Sequence, residues 1–158
     1  MEQTGTATDC NGSNPTYFAW YDFYPVTMEV ISSPISPGDV INAQVSYNPN
    51  TGSAILTLTD NTRGWTRSAS GYGSLAVQAD WVVERPGGTQ YPLTNFGSVT
   101  FTSCTMIYLH NGRYIQGPIT DNDAINQVSM TSGNTTLATA SNLSSDGTSF
   151  SVTWQNSG

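Results

Sequence analysis

The chain has 158 residues, the size of one domain that can bury a substantial hydrophobic core. Only 9% of the residues are charged, lysine is absent, and the formal net charge is −7, which argues against nucleic acid and anionic membranes as partners. No run of about 18 apolar residues is present to cross a bilayer. We therefore predict a single domain over residues 1–158 that binds neither nucleic acid nor membrane.

Short runs rich in Val, Ile, Thr, Tyr and Phe alternate with Gly, Pro, Asn and Asp, and helical periodicity is almost absent. The runs at 40–47 and 54–60 are expected to form a hairpin, and residues 108–124 a long surface loop. About ten strands joined by such turns predict an all-β, antiparallel two-sheet sandwich. In chain order, the predicted strands cover residues 16–24, 26–32, 39–47, 53–60, 64–69, 75–84, 97–107, 125–130, 135–140 and 148–155.

Two cysteines, Cys10 and Cys104, bear on the compartment of the protein. Their spacing fits neither a zinc site nor a redox Cys-x-x-Cys motif, and two such thiols in an exported protein commonly form a disulfide. We predict a secreted protein in which the two cysteines pair with each other, or in which one pairs with a further segment.

Two carboxylates lie in the apolar segment Ala-Asp-Trp-Val-Val-Glu-Arg at 79–85. If this segment is a strand, Asp80 and Glu84 point to one face, about 13 Å apart at about 3.3 Å per residue. A carboxylate buried without partners costs several kcal/mol, so the face that carries them is either the solvent side or a functional groove. The pattern alone leaves both interpretations open.

Four motifs together point to a known family. They are Gln-Thr-Gly at 3–5, Ala-Trp-Tyr-Asp-Phe-Tyr-Pro at 19–25, Ala-Asp-Trp-Val-Val-Glu at 79–84 and Asn-Phe-Gly-Ser-Val-Thr-Phe at 95–101. In order and approximate spacing they resemble the glutamic peptidases, the eqolisin family. The resemblance extends from Gln3 to the end of the chain and implies a concanavalin-like jelly-roll sandwich.

The resemblance implies acid endopeptidase activity by a Gln–Glu dyad, in which a carboxylate activates water and an amide stabilises the tetrahedral intermediate. Gln3 matches the catalytic glutamine. The matching carboxylate is Asp80, where the family has glutamate. The shorter side chain withdraws the carboxylate by about 1.5 Å, and misplacement by about 1 Å can lower a rate a hundredfold. We therefore expect activity that is reduced or lost.

A groove for a polypeptide substrate is also implied, lined by Trp20, Asp22, Tyr24 and Glu84. Asp22 replaces a second family glutamate, and in an extended strand it shares a face with Trp20 and Tyr24. The family domain has further strands before the Gln-Thr-Gly motif, so the chain resembles its C-terminal three quarters. We expect a short N-terminal chain to be able to complete the sandwich.

Two other functions stay open from the residues themselves. Paired carboxylates in an aromatic groove also suit a glycosidase, whose two acids lie about 5 to 10 Å apart. A non-catalytic sandwich that binds carbohydrate or peptide needs neither arrangement. A serine triad is disfavoured because His110, the sole histidine, is accompanied by no Gly-x-Ser-x-Gly motif. No metal ligand set and no cofactor are predicted.

Overall fold

The computed structural model of the protein describes residues 1–73, 78–87, 91–121 and 125–158. These residues form two compact units, Met1–Gln78 and Ala79–Gly158. Every strand pairing among them is antiparallel, and a single 3-10 turn covers Ile119–Asp121. The predicted all-β, antiparallel architecture is confirmed.

Six strands form the first unit as two three-stranded sheets, with orders β1-β2-β3 and β4-β5-β6. Alternation in β5 places Leu56 and Leu58 on one face, and both are fully buried. They pack against Ala19, Tyr21 and Ile31 from the other sheet, which makes the core of a small sandwich. The strands are β1 (Glu2–Asn11), β2 (Asn14–Phe23), β3 (Glu29–Ile31), β4 (Ile41–Asn48), β5 (Ser53–Asp60) and β6 (Trp65–Tyr72).

The second unit contains a four-stranded sheet of order β10-β11-β12-β7 and the separate hairpin β8-β9. Leu137 is fully buried at its core, and the paired rings of Phe101 and Phe150 stack at 4.9 Å between centroids. The strands are β7 (Ser98–Phe101), β8 (Thr105–His110), β9 (Arg113–Pro118), β10 (Met130–Ser132), β11 (Thr135–Ala140) and β12 (Phe150–Trp154).

The predicted hairpin of 40–47 with 54–60 is confirmed as β4-β5, in the register Asn48↔Ser53 to Ile41↔Asp60. The predicted strand at 97–107 is wrong as a single element. It divides into β7 and β8 around Ser103, whose φ of 55° no strand residue adopts. Described residues 125–129 are likewise not a strand, and β10 begins only at Met130.

The long surface loop predicted at 108–124 is wrong over residues 108–118. Those residues lie in β8-β9, which turns at Asn111-Gly112 with φ of 48° and 76°. Positive φ at both central residues is the requirement of a type I′ hairpin, and Asn-Gly is its strongest sequence signal. Residues 122–124, the end of the predicted loop, lie outside the described residues.

Both cysteines are free thiols in this structure, with Cys10 exposed and Cys104 buried. Burial raises the pKa of the Cys104 thiol above 9.0. The predicted disulfide stays a prediction. No helix in the described ranges is long and apolar enough to cross a membrane.

Candidate active site

Gln3 and Asp22 face each other across the first two strands. The β1-β2 register pairs Gln3 with Asp22, and the Gln3 Nε2 donates a hydrogen bond to Asp22 Oδ2 at 2.9 Å. Directly opposed residues of an antiparallel pair have Cβ atoms about 5 Å apart, which suits a long amide reaching a short carboxylate. The pairing fixes the direction in which the Gln3 amide points.

The face that carries this pair is turned away from the core. Asp22 and Trp20 alternate with Tyr21 and Ala19, which are 5% and 0% exposed and belong to the core. Side chains two residues apart on a strand share a face, so Gln3, Asp22 and Trp20 lie together on the opposite side. The predicted sharing of a face by Trp20 and Asp22 agrees with this register.

Gly5 provides the space that the Trp20 indole occupies. The register pairs Gly5 with Trp20, and a Cβ built at Gly5 would lie 3.3 Å from Trp20 Cζ2. The neighbouring Thr4 Oγ1 donates to the Trp20 carbonyl oxygen at 2.7 Å. The Gln-Thr-Gly motif thus contacts the Ala-Trp-Tyr-Asp motif through all three of its residues.

Asp22 retains one carboxylate oxygen for another donor. Among the described residues, Asp22 Oδ1 is buried and has no hydrogen-bond partner. A buried oxygen of this kind favours a bound donor such as water or a substrate N–H. Within the described ranges, no group of three or more His, Cys, Asp or Glu side chains is arranged to hold a metal ion.

Tyr24 lies beyond the strand on which the sequence placed it. Strand β2 ends at Phe23, and Tyr24 is 68% exposed while its backbone N–H donates to the Met1 carbonyl at 3.0 Å. The observed strand therefore ends one residue before the end of the predicted strand 16–24. The register that aligns Trp20 with Asp22 does not extend to Tyr24.

Asp80 and Glu84 lie in the second unit. The predicted strand at 75–84 is wrong over 78–84, where the described residues form no ladder, and 75–77 lie outside the described residues. Burial still alternates there, with Asp80 and Glu84 exposed and Val83 packed on the core of Leu93 and Leu137. Both acids thus share a solvent side because Val83 anchors the segment from the other side.

The sequence interpretation missed the contact between Gln3 and Asp22. The sequence predicted no strand over residues 2–11. The threonines are the only β-branched residues of that run, and it contains no aromatic residue. The available signal was the recurrence of threonine at every second position, Thr4, Thr6 and Thr8, which is a strand period.

Comparison with known proteins identifies the family. The sequence profile of the peptidase A4 family matches residues 1–156. The chain belongs to the peptidase A4 family. The resemblance to glutamic peptidases is therefore confirmed.

Two relatives of this A4 family member are informative. Aspergillopepsin-2 of Aspergillus niger is 32% identical over 108 residues, which cover 64% of this chain and 38% of that protein. The matched region thus spans well under half the length of that relative. The crystal structure of aspergilloglutamic peptidase from Aspergillus niger aligns with a TM-score of 0.76 at 26% identity, covering 98% of this chain and 89% of that chain. The predicted β-sandwich class is confirmed by this likeness.

Proposed function

We propose that this A4 family member is an acid endopeptidase that uses Gln3 and Asp80 as its dyad. The observation that supports the role of Gln3 is the 2.9 Å hydrogen bond from its Nε2 to Asp22 Oδ2, on the face opposite the core. This contact orients the one amide that the family motif requires. The role of Asp80 rests on its position in the Ala-Asp-Trp-Val-Val-Glu motif. Membership of a peptidase family, shown by the match over residues 1–156, supports the reaction class.

The two dyad residues have different tasks in this proposal. Asp80 accepts a proton from water, which attacks the peptide carbonyl carbon, and the second N–H of Gln3 donates to the oxyanion that forms. Asp80 then returns the proton to the peptide nitrogen as the C–N bond breaks, which releases the amine and the new carboxyl group. Asp22 holds the first N–H of the Gln3 amide, so it acts as a positioning residue. Amides do not titrate, and carboxylates stay partly ionised near about pH 4, so this chemistry operates in acid.

The remaining site residues are proposed to bind the substrate. Trp20 shares a face with the Gln3–Asp22 pair. The exposed Tyr24 ring and Glu84 carboxylate are available to an extended polypeptide. We also propose that the protein is secreted into an acidic medium and that a short N-terminal chain completes its sandwich. The sparse positive charge, four arginines and no lysine, is consistent with a protein that works in acid.

Substitutions at the dyad test the proposal. The rate at which a denatured protein is cleaved near pH 3 to 4 should fall in Gln3→Ala and in Asp80→Asn, by on the order of a hundredfold or more. Asp80→Glu should cleave faster than the parent because it restores the missing methylene. The matched controls are Gln44→Ala and Asp9→Asn, exposed positions that should cleave at the parental rate.

The substitution Asp22→Asn distinguishes a role of Asp22 in positioning the Gln3 amide from a role in stabilising the fold. It keeps the size of the side chain but removes the charge that accepts from Gln3, so kcat should fall while the melting temperature stays close to that of the parent. Equal cleavage by Asp80→Asn and the parent contradicts the dyad. If neither the parent nor Asp80→Glu cleaves anything with an N-terminal chain supplied, the protein is a binding sandwich.

A further inference from the structure

An open cavity of about 370 Å³ lies at the surface of the first unit, apart from the face that carries Gln3 and Asp22. Its lining includes Tyr21 and Ile31 from the core face and Arg67 from β6. Glu29 and Arg67, which help to line it, are exposed residues. Because successive residues of a strand point to opposite faces, Tyr21 faces away from Asp22. The volume is at the small end of ligand sites, so it suits a compact molecule.

Opposite charges border this cavity without neutralising each other. The β2-β3 register places Glu29 directly opposite Tyr21, and Arg67 lines the cavity from the other sheet. Among the described residues, no ion pair joins Glu29 to Arg67, whose Nη1 donates to the Thr66 carbonyl at 2.8 Å. The cavity therefore offers one anionic and one cationic group.

The Tyr21 hydroxyl is a polar group that lacks a partner. Tyr21 is 5% exposed, and its hydroxyl is buried with no hydrogen-bond partner in the described ranges. Burial raises the pKa of Tyr21 above 10.0, while Arg67 lowers it and Glu29 raises it, so both charges act on the hydroxyl. A buried hydroxyl without a partner is costly, which favours an occupant that supplies an acceptor.

We propose that this cavity binds a small zwitterion, an α-amino acid or a dipeptide. The ligand carboxylate pairs with the Arg67 guanidinium and accepts from the Tyr21 hydroxyl, and the ammonium pairs with Glu29. Ile31 provides an apolar wall for an aliphatic side chain. A ligand with a single charge of either sign would pair with only one of the two protein charges.

Calorimetric titration tests the proposal with L-leucine and L-alanyl-L-leucine as probes. Both should bind saturably, and leucinamide and N-acetylleucine, which each lack one charge, should bind at least about tenfold more weakly. Tighter binding of leucine points to free amino acids as the source of the ligand. Tighter binding of the dipeptide points to peptide fragments.

Three variants examine the contacts. Arg67→Gln and Glu29→Gln should weaken leucine binding by about tenfold, and Tyr21→Phe by severalfold, while Arg113→Gln on the exposed β9 should bind as the parent does. Melting curves verify that Tyr21→Phe is folded. Absence of saturable binding by the parent overturns the proposal, as does equal binding by Arg67→Gln and Arg113→Gln. These outcomes are independent of peptide cleavage, so they leave the proposed peptidase dyad unaffected.

Discussion

At the scale of single residues, Gly5 leaves room for the large side chain of the residue opposite it, Trp20. The β1-β2 register brings the Gly5 backbone under the Trp20 indole, where a Cβ would lie 3.3 Å from Cζ2. Trp20 in turn lies on the same face as the Gln3–Asp22 hydrogen bond. A glycine at this position therefore permits close approach of a large aromatic ring, rather than a turn.

Gly5→Ala is expected to displace the indole by a few tenths of an ångström without unfolding the sheet. Peptide cleavage should fall by on the order of tenfold, mainly through KM, because the displaced ring is proposed to contact substrate. Steady-state kinetics and tryptophan fluorescence measure the two effects. Thr8→Ala, an exposed position on the same strand, should change neither, and unchanged kinetics in Gly5→Ala would remove Trp20 from the substrate groove.

At the scale of elements, the β5-β6 hairpin depends on one buried carboxylate at its turn. Asp60 is 0% exposed, and its Oδ1 accepts hydrogen bonds from the backbone N–H groups of Thr62 and Arg63, both at 2.9 Å. The turn closes with a hydrogen bond from the Gly64 N–H to the Asp60 carbonyl oxygen, and Gly64 has a φ of 72°. Asp60 therefore supplies the acceptors that the turn backbone needs, in the manner of an Asx turn.

Asp60→Ala should lower the free energy of unfolding by about 2 kcal/mol, because two backbone N–H groups of the turn lose their acceptor. Urea unfolding measures the change. Asn61→Ala, at the exposed neighbouring position, should stay within about 0.5 kcal/mol of the parent. Equal stability of the two variants would show that the turn forms without the carboxylate.

At the scale of the whole molecule, the pH dependence of stability depends on a few carboxylates whose pKa values are lowered. The Arg63 guanidinium, which donates to Asp39 at 2.6 Å, holds the pKa of Asp39 below 3.8. The pKa of Asp146 is lowered as well, because its carboxylate accepts hydrogen bonds from the Ser144 hydroxyl and from the N–H and hydroxyl of Thr148. With a formal charge of −7 and only four cations, protonation of other acids relieves repulsion rather than creating it.

The sign of the pH dependence follows from these shifts. A carboxyl whose folded pKa is depressed adds stability above its unfolded pKa, and that stability is lost as pH falls through the folded value. We therefore expect the melting temperature to change little down to about pH 4 and to fall below it. Asp39→Asn should lower the melting temperature at neutral pH and reduce the fall of the melting temperature below about pH 4. A decline of equal steepness in the variant would contradict a role for Asp39.

The sequence alone determined the all-β class, the β4-β5 hairpin and the peptidase family. Each of these depends on local information: alternation over short runs, turn residues that tolerate positive φ, and motifs in a fixed order. The residues Gln3, Trp20 and Asp22 were likewise identifiable from their motifs. The Asn111-Gly112 turn was readable too, although the surrounding polar residues led to the prediction of a loop.

Only the tertiary structure decided which residues of these motifs meet. Strand β1 has weak intrinsic propensity and forms because its ten residues pair with β2 in a hairpin. The same register places Asp22 against Gln3, and it ends before Tyr24. Around Asp80, alternation of burial survives without a strand, since Val83 is fixed by packing against Leu93 and Leu137 and not by ladder hydrogen bonds. Pairing and packing depend on distant partners, which is why local patterns predicted the elements but not their contacts.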